Sequence, residues 1–183
     1  MNLLWYFFLY SFLGLALERV YAHLTGRDAS LRRCRLLLPM CPVYGLGAVA
    51  ILALPEFVLH SPALLFLAGG ALATAVEYLC SFLYERLWGV RFWNYTGWPG
   101  CVHGRVCLPF SAAWGVLSWG LVYLLQPGVR ALTEHLPVPA LAALTALFLS
   151  DTAVTTLLLR RSPSVESLRW FPLPNLAEDT KSR

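Results

Sequence analysis

Residues 62–84 read PALLFLAGGALATAVEYLCSFLY, an apolar run interrupted past its middle by a single acid, Glu77. A spanning helix takes about 20 mostly apolar residues at a rise of roughly 1.5 Å each, so this stretch is long enough to cross a bilayer. Lipid offers the backbone no water, and only helices and closed barrels satisfy every N–H and C=O there. Working outward, four further runs of the same kind occupy 3–21, 36–54, 106–125 and 140–159. The pattern predicts an all-α fold, a polytopic membrane helix bundle of about five spans. A single transmembrane domain is expected over 1–161, with a flexible cytoplasmic tail at 162–183. Breakers separate the runs: Pro55 opens one link, Gln126-Pro127-Gly128 closes the fourth span, and Pro137 and Pro139 precede the fifth. Pro39, Pro42, Gly45 and Gly47 interrupt the second run, which is therefore expected to begin with a broken or re-entrant turn.

Composition agrees with this reading. Of 183 residues, 58% are hydrophobic and only 13% charged, against roughly 25% charged in an average soluble domain. Too few polar residues remain to cover the outside of a soluble enzyme. The net charge of +4 does not point to nucleic acid, because the basic residues fall between the apolar runs. Arg130 is the one Lys or Arg on its side of the bundle, and the other thirteen of the fourteen share the opposite side. The positive-inside rule makes the rich side cytoplasmic, which places the N-terminus outside and the C-terminus in the cytoplasm of a multi-pass cell-membrane protein. The sequon Asn94-Tyr95-Thr96 then lies on the wrong side for glycosylation. Five cysteines, Cys34, Cys41, Cys80, Cys101 and Cys107, do not suggest a disulfide framework. The first residues run straight into apolar sequence without a basic leader, which reads as a retained anchor.

Two stretches echo each other. Arg35, Pro39 and Tyr44-Gly45 open the second span, and Arg105, Pro109 and Trp114-Gly115 open the fourth. The span before each carries an acid toward its cytoplasmic end, Glu18 in the first and Glu77 in the third. Two helix-pair repeats plus a fifth helix would explain this, and in many transporters such repeats meet at the binding site. The alternative is chance similarity between two helix starts.

Carboxylates within spans are expensive and usually face the bundle interior or water. Glu18, Glu77, Glu85 and Asp151 are such residues, and Thr74, Glu77, Ser81, Glu85 and Trp88 form one stripe at helical spacing. Arg33, Arg35 and Arg105 stand where the second and fourth spans begin, so a cluster of these arginines with the four acids is expected in the cytoplasmic leaflet. Three roles compete for it: helix-orienting pairs, a substrate or ion pathway, and acid–base catalysis. The loop between the third and fourth spans holds Trp88, Trp93, Asn94, Tyr95 and Trp98 among several glycines. Its rings suit the headgroup region, either as simple anchors or as a lid over the polar cluster. Cys101, His103 and Cys107 match no common zinc spacing, and no metal or other cofactor is expected. No nucleotide-binding or hydrolase fingerprint occurs, so any ATP must be bound by another chain.

The order Leu13-Gly-Leu-Ala-Leu-Glu18, then Arg33 with Pro39-Met-Cys-Pro-Val-Tyr-Gly45, Glu77, Glu85, Phe92-Trp-Asn-Tyr95, Gly104-Arg-Val-Cys-Leu108 and Ser111-Ala-Ala-Trp-Gly115 resembles the type IV, or CmpB-like, family of ABC-transporter permeases. The resemblance covers roughly residues 5 to 155 and implies a transport subunit. It departs from the family pattern at Cys34 and Leu38, where glycine is usual, and at Asn94, where aspartate is usual. It favours Arg33 as the inward-facing arginine, whereas the internal echo favours Arg35. Three functions remain in competition. The first is a permease-like subunit for a small or amphipathic solute, working with a separate ATP-binding subunit or as a homodimer packed through Gly69 and Ala73. The second is a membrane-embedded enzyme acting on a lipid or lipid-linked substrate, with Arg33 and Arg105 holding a phosphate. The third is a non-catalytic scaffold or regulator.

Overall fold

A computed structural model describes residues 2–25 and 35–168. All the regular structure in that range is helical. Five principal helices follow the five apolar runs: α1, Asn2–Leu24; α2, Pro42–Leu52; α3, Pro62–Trp88; α4, Leu108–Glu134; and α5, Val138–Arg161. Four of them, α1, α3, α4 and α5, are long and apolar enough to cross a membrane. The chain is thus a polytopic membrane bundle, as its apolar periodicity predicts.

The second span differs most from expectation. Residues 35–41 are not helical, and α2 begins only at Pro42. Pro39 and Pro42 each disfavour the α conformation in the residue before them. α2 itself has 11 residues, about 16 Å of helix, and is too short to cross alone. Backbone left outside a helix must find partners in the protein, and it finds them on α5. The Asp151 carboxylate accepts the N–H of Leu37 at Oδ1 (3.0 Å) and of Leu38 at Oδ2 (3.1 Å). The Thr155 hydroxyl oxygen accepts the N–H of Leu36 (3.3 Å), and its own proton goes to Asp151 Oδ1 (3.2 Å).

The fourth span runs past Gln126-Pro127-Gly128 instead of stopping there. A π turn at Gly120–Leu125 widens the helix just before Pro127, which takes up an early position in the α segment that resumes at Gln126. The i−4 bond that proline would break in a continuous α-helix is already displaced by the wider turn. A second π turn, Leu65–Gly69, lies in α3. α3 ends at Gly89, whose φ of 69° closes the helix through an N–H donated to the Glu85 carbonyl (2.9 Å).

α1 and α2 pack antiparallel, as do α3 and α4, and α2 also lies along α3. The two hairpins are built alike. A Cβ on Gly45 would overlap the Phe7 carbonyl and the Ser11 hydroxyl, and one on Gly115 would sit 2.9 Å from the Phe66 carbonyl. Phe7, Ser11 and Glu18 precede Phe66, Gly70 and Glu77 by one constant offset, and Tyr44-Gly45 precedes Trp114-Gly115 by another. The corresponding contacts recur: Gly45 on Phe7 and Ser11, Gly115 on Phe66 and Gly70. Gly69 faces Ser118 of α4, and Ala73 is buried in the same packing. The Gly69 and Ala73 surface expected to serve a homodimer is therefore used inside the chain.

Residues just beyond α5 are packed down. The turn Val165–Leu168 ends on a fully buried Leu168, which shares a core with Trp88, Phe92, Trp93 and Leu159. Of the expected tail over 162–183, this first part packs on apolar surface beside the loop between α3 and α4, and residues 169–183 lie outside the described residues.

Candidate functional site

Between α1 and the first half of α4 lies a cavity of about 530 Å³. Its floor carries the two acids of the hairpins. The Tyr44 hydroxyl donates to Glu18 Oε2 (2.9 Å), and the Trp114 Nε1–H donates to Glu77 Oε2 (2.9 Å). These are equivalent interactions: the aromatic residue that precedes the packing glycine in each repeat grips the acid of its own hairpin. The two rings meet at the centre, with centroids 5.7 Å apart. Glu77 is buried, and the Tyr95 hydroxyl donates to its other oxygen, Oε1 (2.9 Å). Helical spacing turns Glu77 and Ser81 inward on α3 and Gly115 and Ser118 inward on α4, and of these Glu77 lines the cavity.

The predicted cluster is divided by the structure into three parts. Glu18 and Glu77 share the cavity. Glu85 and Arg105 form an ion pair at the end of α3, joined by Arg91, whose Nε and Nη2 reach Glu85 Oε1 at 2.9 and 2.6 Å. The Arg105 guanidinium also lies 5.4 Å from the Tyr78 ring centroid and 5.6 Å from that of Phe82. Asp151 stands apart from both groups and serves backbone N–H groups in place of an arginine. Its burial is complete, and two backbone donors one residue apart match the two oxygens of one carboxylate. Arg35 is buried beside it, donating to the Thr152 hydroxyl and stacking 4.3 Å from the Phe148 ring centroid. Arg33 lies outside the described residues.

The aromatic loop also departs from expectation. Trp88, Trp93 and Tyr95 are buried in the protein core and do not point outward as anchors; Trp98, at 38% exposure, is the outlying ring. Tight turns fold the loop inward. The Asn94 side-chain oxygen accepts from the Thr96 N–H (3.0 Å) and hydroxyl (2.7 Å), and Trp93 Nε1–H donates to the Arg105 carbonyl (2.9 Å). Asn94 thus closes a turn that aspartate could close equally well. The loop's link to the site is Tyr95, which stacks on Phe110 (4.6 Å) and bonds Glu77. That arrangement supports the lid reading over anchoring.

Several lining residues were not singled out by sequence, among them Gly14, Tyr21 and Phe110. The signal available for Gly14 is its place one turn before Glu18; a Cβ there would overlap the Tyr44 ring. Among the described residues no group of three or more His, Cys, Asp and Glu side chains is placed to hold a metal ion. His103 instead meets the Tyr78 hydroxyl through Nδ1 at 2.9 Å.

No curated protein and no solved structure matches this chain. The family model described as "Putative ABC-transporter type IV" matches residues 5–157. With the apolar helices, the paired hairpins and that match over most of its length, the chain belongs to the type IV ABC-transporter family.

Proposed function

We propose that this protein is a permease-like membrane subunit that passes a small or amphipathic solute by way of the cavity between α1 and α4. The observation that carries the reading is the floor of that cavity, where the equivalent acids of two repeats meet under matched aromatic donors. Binding pockets of a few hundred cubic ångströms, apolar with a few convergent polar groups, suit small ligands. In repeat-built transporters the site lies where the repeats meet. The basic end of the bundle faces the cytoplasm in this reading, and a separate ATP-binding subunit or a second copy completes the machine, because this chain holds no nucleotide-binding fingerprint.

Of the two arginines that the lipid-enzyme reading assigns to a phosphate, Arg105 pairs with Glu85 at the end of α3, and Arg33 lies outside the described residues. The test is a comparison of solutes inside and outside cells that carry the wild-type chain, no chain, or Glu77→Gln at equal abundance. The expected result is that E77Q reproduces the solute profile of the deletion. A wild-type profile from E77Q would overturn the proposal.

A further inference from the structure

The face that α3 turns to the bilayer changes character toward the basic end of the bundle. Leu79, Phe82 and Leu83 are exposed there, and Arg86 is exposed one turn beyond Phe82. Large apolar side chains exposed on a spanning helix face lipid. The four-residue steps from Tyr78 to Phe82 to Arg86 keep these side chains on one face. Counted from Pro62 at roughly 1.5 Å per residue, Tyr78 lies about 24 Å and Arg86 about 36 Å along the helix. They fall on either side of the edge of a hydrocarbon layer about 30 Å thick.

A second guanidinium is laid across that face from the loop between α3 and α4. The Arg105 guanidinium carbon is 5.4 Å from the Tyr78 ring centroid and 5.6 Å from that of Phe82. Its Nη2 donates to Glu85 Oε2, its Nε is buried without an acceptor, and its Nη1 makes no hydrogen bond among the described residues. Arg91 takes the other oxygen of Glu85, and Arg86 has no ion pair among the described residues. Three arginines therefore stand against one carboxylate around the last turns of α3. His103 borders them with a φ of 53°, a conformation that non-glycine residues seldom adopt. Its exposed ring meets the Tyr78 hydroxyl through Nδ1. A guanidinium offers planar donors to phosphate oxygens, and basic surfaces at the membrane boundary attract anionic headgroups.

We propose that this face of α3 binds one anionic phospholipid from the leaflet at the basic end of the bundle. The phosphate meets Arg86 and the Nη1 edge of Arg105, with His103 at its border, and an acyl chain lies along Phe82, Leu79 and Leu83. Glu85 anchors Arg105 and at the same time competes with the phosphate for it, so this carboxylate sets how tightly the lipid is held. The site lies outside the cavity and is independent of what the chain transports.

The test is native mass spectrometry of the full chain in a mild detergent, titrated with dioleoylphosphatidylglycerol or with dioleoylphosphatidylcholine, which carry the same chains. One phosphatidylglycerol retained per chain at saturation is expected, with phosphatidylcholine held roughly tenfold more weakly, equivalent to about 1.4 kcal/mol. Arg86→Gln and Arg105→Gln should each weaken phosphatidylglycerol retention by a similar factor. Arg86 holds no ion pair among the described residues, so R86Q keeps the test decisive if R105Q fails to fold. Glu85→Gln should tighten retention severalfold, because it releases Arg105 to the phosphate; an ion pair that only shaped the loop would give the opposite sign. Equal retention of the two lipids, retention unmoved in R86Q and R105Q, or weaker retention in E85Q overturns the proposal.

Discussion

Asp151 is fully buried, and both of its oxygens are taken by backbone donors of residues outside any helix. Asp151→Asn keeps the shape but turns one acceptor into an amide N–H that faces another N–H. A buried donor left without an acceptor costs about 1–3 kcal/mol. The expected outcome is a clear fall in the melting temperature of the purified chain in detergent, with Thr155→Val producing a smaller one. An unchanged melting temperature for D151N would mean that the carboxylate is not holding residues 36–38. Trp93→Phe, which removes one indole bond to the Arg105 carbonyl, should cost about 0.5–1.5 kcal/mol in the same assay. At this scale the sequence was only partly legible. That Glu18, Glu77 and Asp151 would be held inside the protein follows from the expense of carboxylates in lipid. Which groups hold them does not, because a tyrosine hydroxyl, an indole N–H, a backbone N–H and a guanidinium all satisfy a carboxylate. Trp88 and Trp93 were misplaced for a related reason: an amphipathic ring suits a headgroup layer and a polar-tipped core equally well.

For the helices, the test is a set of glycines. Gly45→Ala drives a Cβ into the Phe7 carbonyl and the Ser11 hydroxyl, and backbone cannot yield as a flexible side chain can. Overpacking of this kind costs about 1–3 kcal/mol. Gly47, two residues on, has open space around its Cβ position, so Gly47→Ala should leave stability within about 0.5 kcal/mol of wild type. Equal melting temperatures for the two variants would show that α1 and α2 are not packed this closely. Helix positions were legible because an apolar run in lipid has little choice but to coil. Helix ends were not. The start of α2 depends on Asp151, more than a hundred residues away, and the passage of α4 through Pro127 depends on a π turn that no local composition announces.

The whole molecule is two equivalent hairpins and a fifth helix that braces them. Orientation in the membrane belongs to this scale, and it follows from the arginine distribution and nothing local. With the native cysteines replaced, Ser162→Cys at the basic end should react with an impermeant maleimide only after cells are opened. Glu134→Cys, at the far end of α4, should react in intact cells. The reverse pattern would invert the topology. The repeat itself was visible as Arg, Pro and aromatic-glycine spacing, and its meaning emerged once Tyr44 and Trp114 were found gripping Glu18 and Glu77.

The clamp at Asp151 also bears on how the chain is made. Residues 36–38 leave the ribosome long before α5 does, yet their backbone donors are satisfied by α5. Until that last helix is synthesised, those donors have no such acceptor, and the first hairpin cannot reach its final depth in lipid at full stability. Biogenesis therefore has an order written into it: the second helix is threaded early and seated late. A nascent chain arrested before Val138 should still expose a cysteine at residue 40, where the folded chain buries Met40, to a water-soluble label, and one released after Arg161 should protect it.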